Sequence, residues 1–360
     1  MADPQSAYRQ LLASGAIEAD VAQAAIVEQL QGLHNRLINS KPLSSFFSRK
    51  KRYPLLTGIY LHGGVGRGKT WLMDLFFQSL PFAEKQRDHF HHFMRDMHAR
   101  LKQHQGRRDP LRYIAAEMAP SCRVLCLDEF HVTDIGDAMI VAQLLRGLFE
   151  QGITLVTTSN TEPERLYNEG IQRASFLPAI DLLEQYTQVL ALGGERDYRL
   201  SYLEQAPVYL TGDAEANRQQ LDEEFTRLAP AQTTQDADLE IAGRPVRYHK
   251  KSADVIWFNF SELCQGPRNS ADFIEIARYH HTVLLEAVPV LDGSRDDCAR
   301  RFISMIDVFY DRSVKLVISA DAPAPRLYQG ERLAFEFQRT ASRLQEMQSS
   351  SYLALPHKPE

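Results

Sequence analysis

The chain has 360 residues, 44% hydrophobic and 24% charged, with a formal net charge of -5. That length allows two or three domains that each bury a core, and the composition excludes a disordered or collagen-like chain. The slight acidic excess argues against a broadly basic nucleic-acid-binding surface.

No apolar run reaches the ~18 residues of a transmembrane helix. The start, Met1-Ala2-Asp3-Pro4-Gln5, has neither the charged nor the apolar region of a leader, so a cytoplasmic location is expected. Cys122, Cys126, Cys264 and Cys298 form no C-x-x-C pair and no zinc-finger spacing, which fits a reducing compartment.

In chain order, residues 5–40 are predicted to be helical and amphipathic. Asp20 is the expected N-cap of Val21 to Leu37, with Ala25, Ile26, Leu30, Leu33 and Leu37 at helical spacing. The basic run Arg49-Lys50-Lys51-Arg52 is either a solvated linker or a contact for phosphate or an acidic partner. Residues 1–54 thus read as an N-terminal helical segment with its linker. From 55 to 194 short apolar strands alternate with helices, the pattern of a mostly parallel α/β sheet. Strands are expected near 57–62, 88–94, 122–128, 153–159 and 187–192. Helices are expected near 69–79, 95–104, 134–150, 162–170 and 175–184. After Gly193-Gly194 the pattern changes, and 195–360 reads as a separate, atypical α/β region. It holds a hairpin over 239–248, strands near 255–260, 281–288 and 313–319, and helices near 272–279 and 297–310, with a last helix from Phe335. Pro207 to Asp238 gives no sharp boundaries, and no repeat of solenoid period occurs.

Gly63-Gly64-Val65-Gly66-Arg67-Gly68-Lys69-Thr70 fits G-x-x-x-x-G-K-[ST], with a predicted strand before it and a predicted helix after it. That context marks a phosphate-binding loop. Its backbone amides and the helix N-terminus attract the phosphates of a nucleoside triphosphate. Lys69 is expected to reach the β/γ-phosphates, and the Thr70 hydroxyl to bind Mg²⁺. Val124 to Leu127 is an apolar strand ending in Asp128-Glu129. Asp128 can share the Mg²⁺, and Glu129 stands where a base could orient an attacking water. A further expected strand lies between the loop and Asp128, and N-K-x-D is absent, which points to a nucleotide-hydrolysing motor or switch. The strand over 155–159 ends in Asn160, which can lie near the γ-phosphate and sense it. His89, His91 and His92 alternate across a predicted strand, so a metal site there is disfavoured.

The run from Asp128 to Met139, then Thr158-Ser159-Asn160, then Gly170 to Arg173 with Phe176-Leu177-Pro178, resembles the ZapE-type bacterial cell-division ATPases. So do Arg300 to Ile303, the stretch to Ala320, and Arg339 to Gln348. These ATPases are a branch of the AAA+ proteins with mitochondrial relatives. The resemblance implies an AAA+ sheet in the order 5-1-4-3-2, ATP and Mg²⁺ as cofactors, and assembly of copies through nucleotide sites at subunit interfaces. It also implies a function, ATP-dependent destabilisation of FtsZ polymers at the division ring. Arg173 follows the sensor strand, where this class places an arginine facing a neighbour's nucleotide; a structural arginine is the other reading. Arg339 and Arg343, at i,i+4, are either a second sensor or a solvated helix face. The competing function is a helicase-loader-like ATPase stimulated by single-stranded DNA, against which the absence of a basic-aromatic stripe argues. A scaffold that uses ATP only as a switch is weaker still, given Glu129 and Asn160. Aromatic-apolar-glycine is absent from 93–118, which disfavours a threading unfoldase.

Overall fold

A computed structural model describes residues 2–15, 17, 19–42, 53–64, 66–104, 106–168, 170–193, 207–229, 233–252 and 254–358. The basic run Arg49 to Arg52 and Val65 of the phosphate loop lie outside the described residues. The chain divides into two compact units, Met1–Glu195 and Arg196–Glu360.

The first unit runs α1 (Pro4–Ala13), α2 (Val21–Asn39), β1 (Gly58–His62), α3 (Lys69–Ser79), β2 (Lys85–His89), α4 (Phe90–Gln103), α5 (Pro110–Met118), β3 (Val124–Asp128), α6 (Ile135–Glu150), β4 (Thr154–Ser159), α7 (Leu177–Tyr186) and β5 (Thr187–Ala191). The strands form one parallel sheet in the order β2-β3-β4-β1-β5, the order expected of an AAA+ core. Alternation along the strands sends side chains to two cores. Ile59, Leu61, Val124, Cys126 and Val156 pack with Ile26, Val27, Leu30 and Leu33 of α2 and Leu72, Met73 and Phe76 of α3. Tyr60, Leu125, Leu127 and Leu155 face the other way, onto residues of α4 to α7. Because the strands are parallel, the carboxyl ends of β1, β3 and β4 open at the same edge of the sheet, where open α/β sheets bind ligands.

Three local expectations need correction. The helical stretch over 5–40 is two helices, broken at Gly15 (φ 72°); Asp20 does cap α2, accepting from the Gln23 amide at 3.0 Å. The strand expected over 88–94 ends at His89, and Phe90 opens α4. Phe90, Phe93, Met94 and Met97 are buried at helical spacing, so His91 and His92 stand on a helix rather than alternating across a strand. Instead of a helix over 162–170 there is one tight turn, Pro163–Arg165, ended by the extended backbone of Leu166 and followed by a left-handed Tyr167 (φ 54°).

The second unit runs β6 (Tyr209–Thr211), α8 (Ala214–Leu228), β7 (Thr234–Ile241), β8 (Arg244–Lys251), β9 (Val255–Asn259), α9 (Ser270–Tyr279), β10 (Thr282–Val288), α10 (Asp296–Asp311), β11 (Lys315–Ala320), α11 (Ala334–Glu346) and α12 (Ser350–Leu353). Its sheet has the order β6-β11-β10-β9-β8-β7, parallel from β6 to β9 and antiparallel through the hairpin β7–β8. Phe258, Val283, Leu285 and Ile318 pack with α9, α10 and α11, while Val255, Trp257, Leu284 and Val317 pack with Leu221 and Phe225 of α8. Among the described residues, no helix is long and apolar enough to cross a membrane.

Candidate functional site

The site begins where β1 leaves the core. Gly63 follows the strand, and a Cβ there would come 2.5 Å from the Leu192 carbonyl oxygen, so a larger residue cannot follow the same path. Gly68 ends the loop with φ 84° and accepts the Leu72 amide at 2.9 Å as the N-cap of α3. A left-handed residue at that point favours glycine. The loop is also held from the N-terminal side: Gln23, buried on α2, donates from Nε2 to the Arg67 carbonyl at 3.1 Å.

Lys69, the first residue of α3, is buried with its ammonium turned back into the loop. Nζ donates to the carbonyls of Gly63 at 2.9 Å and Gly64 at 2.7 Å, and to Asn160 Oδ1 at 2.9 Å. The end of β4 therefore meets the phosphate loop through a single charge. Thr70 donates from Oγ1 to Asp128 Oδ1 at 3.1 Å, joining α3 to the end of β3.

Asp128 is fully buried, and such a carboxylate must be compensated. Its Oδ1 also accepts from the Thr158 hydroxyl and from the Glu129 amide at 3.2 Å, and its Oδ2 from Arg87 Nη2 at 3.2 Å. Glu129 is half-buried with a left-handed backbone, φ 53°. Its amide is fixed from the neighbouring strand by Thr158 Oγ1 at 3.1 Å, and the Phe130 amide donates to the Thr158 carbonyl at 2.7 Å. A strained backbone beside the buried carboxylate marks a place where structure is spent on position. His62, at the end of β1, is held below the ordinary imidazole range by burial; the Lys69 charge pushes the same way and Glu162 opposes it.

The structure thus brings Gly63, Gly64, Gly66, Arg67, Gly68, Lys69, Thr70, Asp128, Glu129 and Asn160 to one edge of the first unit's sheet. Arg173 stands in the turn Arg173–Ser175, where Nη2 donates to the Glu164 carbonyl at 2.6 Å. Arg339 and Arg343 belong to α11 of the second unit. Both pair with Asp307 on α10, Arg339 at 2.6 Å, and the Arg343 guanidinium also lies 4.7 Å from the Tyr310 ring centre. Sequence reasoning missed Arg87, Thr158, Gln23 and Asp74, whose carboxylate forms an ion pair with Arg87 Nε. For Asp74 a signal existed, since it follows Thr70 by one helical turn.

Comparison with known proteins shows what the whole chain is similar to. Residues 2–356 match the AFG1-like ATPase family. The cell division protein ZapE of Escherichia coli strain K12 is 43% identical over 98% of this chain and 98% of its own. Lactation elevated protein 1 homolog B of Danio rerio is 36% identical over 82% of this chain and 68% of its own. Among solved structures, that of DnaI aligns with 50% of this chain and 88% of its own, at a TM-score of 0.36 and 16% identity. A phosphate loop and an acidic strand end joined on a β2-β3-β4-β1-β5 sheet, within a match of nearly full length, place the chain in the AFG1-like ATPase family, and it is an ATPase.

Proposed function

We propose that this ATPase hydrolyses ATP with Mg²⁺ at the edge formed by Lys69, Thr70 and Asp128, and that turnover remodels a protein partner in cell division. The observation that carries the reading is the 3.1 Å bond between Thr70 and Asp128, which joins two distant motifs beside the Lys69 ammonium. The loop amides of residues 63–68 and Lys69 bind the phosphates, with Lys69 exchanging its carbonyl partners for phosphate oxygens. A hydroxyl and a carboxylate in contact are the hard oxygen donors that suit Mg²⁺, so the residues present fit the ion. When bound, Mg²⁺ would neutralise charge on the phosphates. Glu129 orients the attacking water, and Asn160, already on Lys69, reads the γ-phosphate. Arg173 serves the site of a neighbouring copy, which makes the working form a homo-oligomer.

The division partner is inferred from the likeness to ZapE, a cell division protein of Escherichia coli. Together with the resemblance of the motifs, this favours FtsZ filaments in the cytoplasm, with recruitment to the division site. Residues 55–194 are assigned as the ATPase core, 1–54 as the helical segment and its linker, and 195–360 as the region that transmits the change to the partner. The test is Glu129→Gln in the full chain. ATP affinity should stay within about threefold while turnover falls by roughly 10²-fold or more, the scale of a lost general base. Sedimentation of FtsZ with ATP should show fewer polymers with the natural protein and no change with the variant. Unchanged turnover would remove Glu129 from this role. ATP hydrolysis stimulated by single-stranded DNA but not by FtsZ would instead favour the helicase-loader reading.

A further inference from the structure

Asp128 is held by more than the phosphate-loop threonine. Arg87 stands on β2, the edge strand of the first sheet, between two carboxylates: Asp74 Oδ1 forms an ion pair with its Nε, and Asp128 Oδ2 accepts from its Nη2 at 3.2 Å. Asp74 lies four residues after Thr70, so both face the same side of α3. Thr70, Asp128, Arg87 and Asp74 therefore close a ring that ties α3 to β3 twice, once directly and once through β2. The two carboxylates are shielded from water, with Asp128 fully buried and Asp74 7% exposed, while Thr70 and the Arg87 side chain, 17% exposed, are partly buried. The guanidinium faces the two carboxylates with different nitrogens, Nε toward Asp74 as an ion pair and Nη2 toward Asp128, an arrangement its planar fork fixes more rigidly than a flexible ammonium would.

We propose that Arg87 is a positioning residue that sets how much of the Asp128 charge is offered to a divalent cation, and that Asp74 tunes it by drawing the guanidinium back. The inference rests on Asp128 as a metal holder. In a site of low effective dielectric, a guanidinium on one carboxylate oxygen weakens the attraction of the other for a second cation. Asp74 shares that positive charge and so restores the attraction. The two residues are thus expected to act on cation affinity in opposite directions, with Asp74 acting through Arg87.

The experiment titrates Mn²⁺ into the full chain with ADP, reading free Mn²⁺ by electron paramagnetic resonance and foldedness by circular dichroism. Arg87→Met should tighten Mn²⁺ binding by about fivefold or more, and Asp74→Asn should weaken it by a similar factor. In the Arg87→Met background Asp74→Asn should have less than about a twofold effect, as coupled residues do. A merely structural role would lower the folded fraction without opposite shifts in affinity. Shifts in the same direction, additive shifts, or affinities within about twofold of the natural protein would overturn the proposal. If Arg87→Met does not fold, Asp74→Asn alone decides: weaker binding supports the proposal and unchanged binding overturns it. Asp128→Asn separates this from the reading beneath it. Should that change leave Mn²⁺ affinity untouched, the metal assignment fails and the proposal falls with it; should it weaken binding, the Arg87 and Asp74 results test the proposal alone.

Discussion

Glu129 offers a test in which stability and activity part company. Its backbone sits at φ 53°, a conformation in which a Cβ costs roughly 1–2 kcal/mol. Its amide bonds to Thr158 and Asp128 come from the main chain, so they survive replacement by either alanine or glycine. Glycine removes the Cβ penalty but adds about 0.4–1 kcal/mol of unfolded-chain entropy relative to alanine. The balance is that Glu129→Gly should be more stable than Glu129→Ala by about 0.5–1 kcal/mol. In an ordinary helical or extended position the sign is reversed. The two variants lack the carboxylate alike, so both should lose hydrolysis and the difference isolates the backbone. Urea unfolding followed by Trp71 fluorescence, with Trp257 of the other unit replaced by Phe throughout, reports the first unit. Should the alanine variant be the more stable, the left-handed assignment and the strain argument are wrong.

Two further outcomes follow from groups outside the acidic strand end. Burial, with the nearby His281 acting in the same direction, lowers the His357 pKa to about 3, and its ring nitrogen Nε2 lies 2.6 Å from the Ala277 carbonyl. The unfolded chain therefore takes up this proton first as pH falls. The stability held by the neutral ring is complete above the ordinary value near 6.5 and is lost between there and about 3, at about 1.4 kcal/mol per pH unit. His357→Gln should flatten that slope in urea unfolding at pH 7 and pH 5, and an unchanged slope would assign the loss to other groups. Gln23→Ala removes the bond to the Arg67 carbonyl, and the KM for ATP should rise about three- to tenfold, the scale of one hydrogen bond, with kcat nearly unchanged. An unchanged KM would mean that α2 does not position the loop.

Much of the first unit was legible because its signals agree with one another. Glycines at fixed offsets, a buried strand before them and a helix after them admit one local structure. Val124 to Leu127 is apolar enough to be buried on both faces, and so is read as a central strand. The stretch from His89 to Phe93 misleads because its first residues satisfy alternation as well as helical spacing, and only Met94 and Met97 decide for the helix. Helix α5 left a signal that went unread: Asp109-Pro110 opens it, and Leu111, Ile114, Ala115 and Met118 recur on one buried face. Helix α8 sits in a stretch so polar that its buried Leu221, Phe225 and Leu228 stand out only once the strands they cover are known. Arg87 and Asp74 escaped for a different reason. Charged residues on an edge strand and on a helix normally face water, and nothing local to either one indicates that they meet around a third charge.

The packing of α2 against the central sheet also limits how the ATPase can be cut. Ile26, Val27, Leu30, Leu33 and Leu37 roof Ile59, Leu61, Val124, Cys126 and Val156, and Arg123 reaches from the opposite wall to the Leu37 and Ser40 carbonyls at the far end of that roof. A fragment begun at Leu55 would carry every nucleotide motif and still bare a greasy floor beneath them. Such a truncation should precipitate or bind detergent, and its recovery as a well-behaved monomer would mean that the leading helices are a dispensable lid.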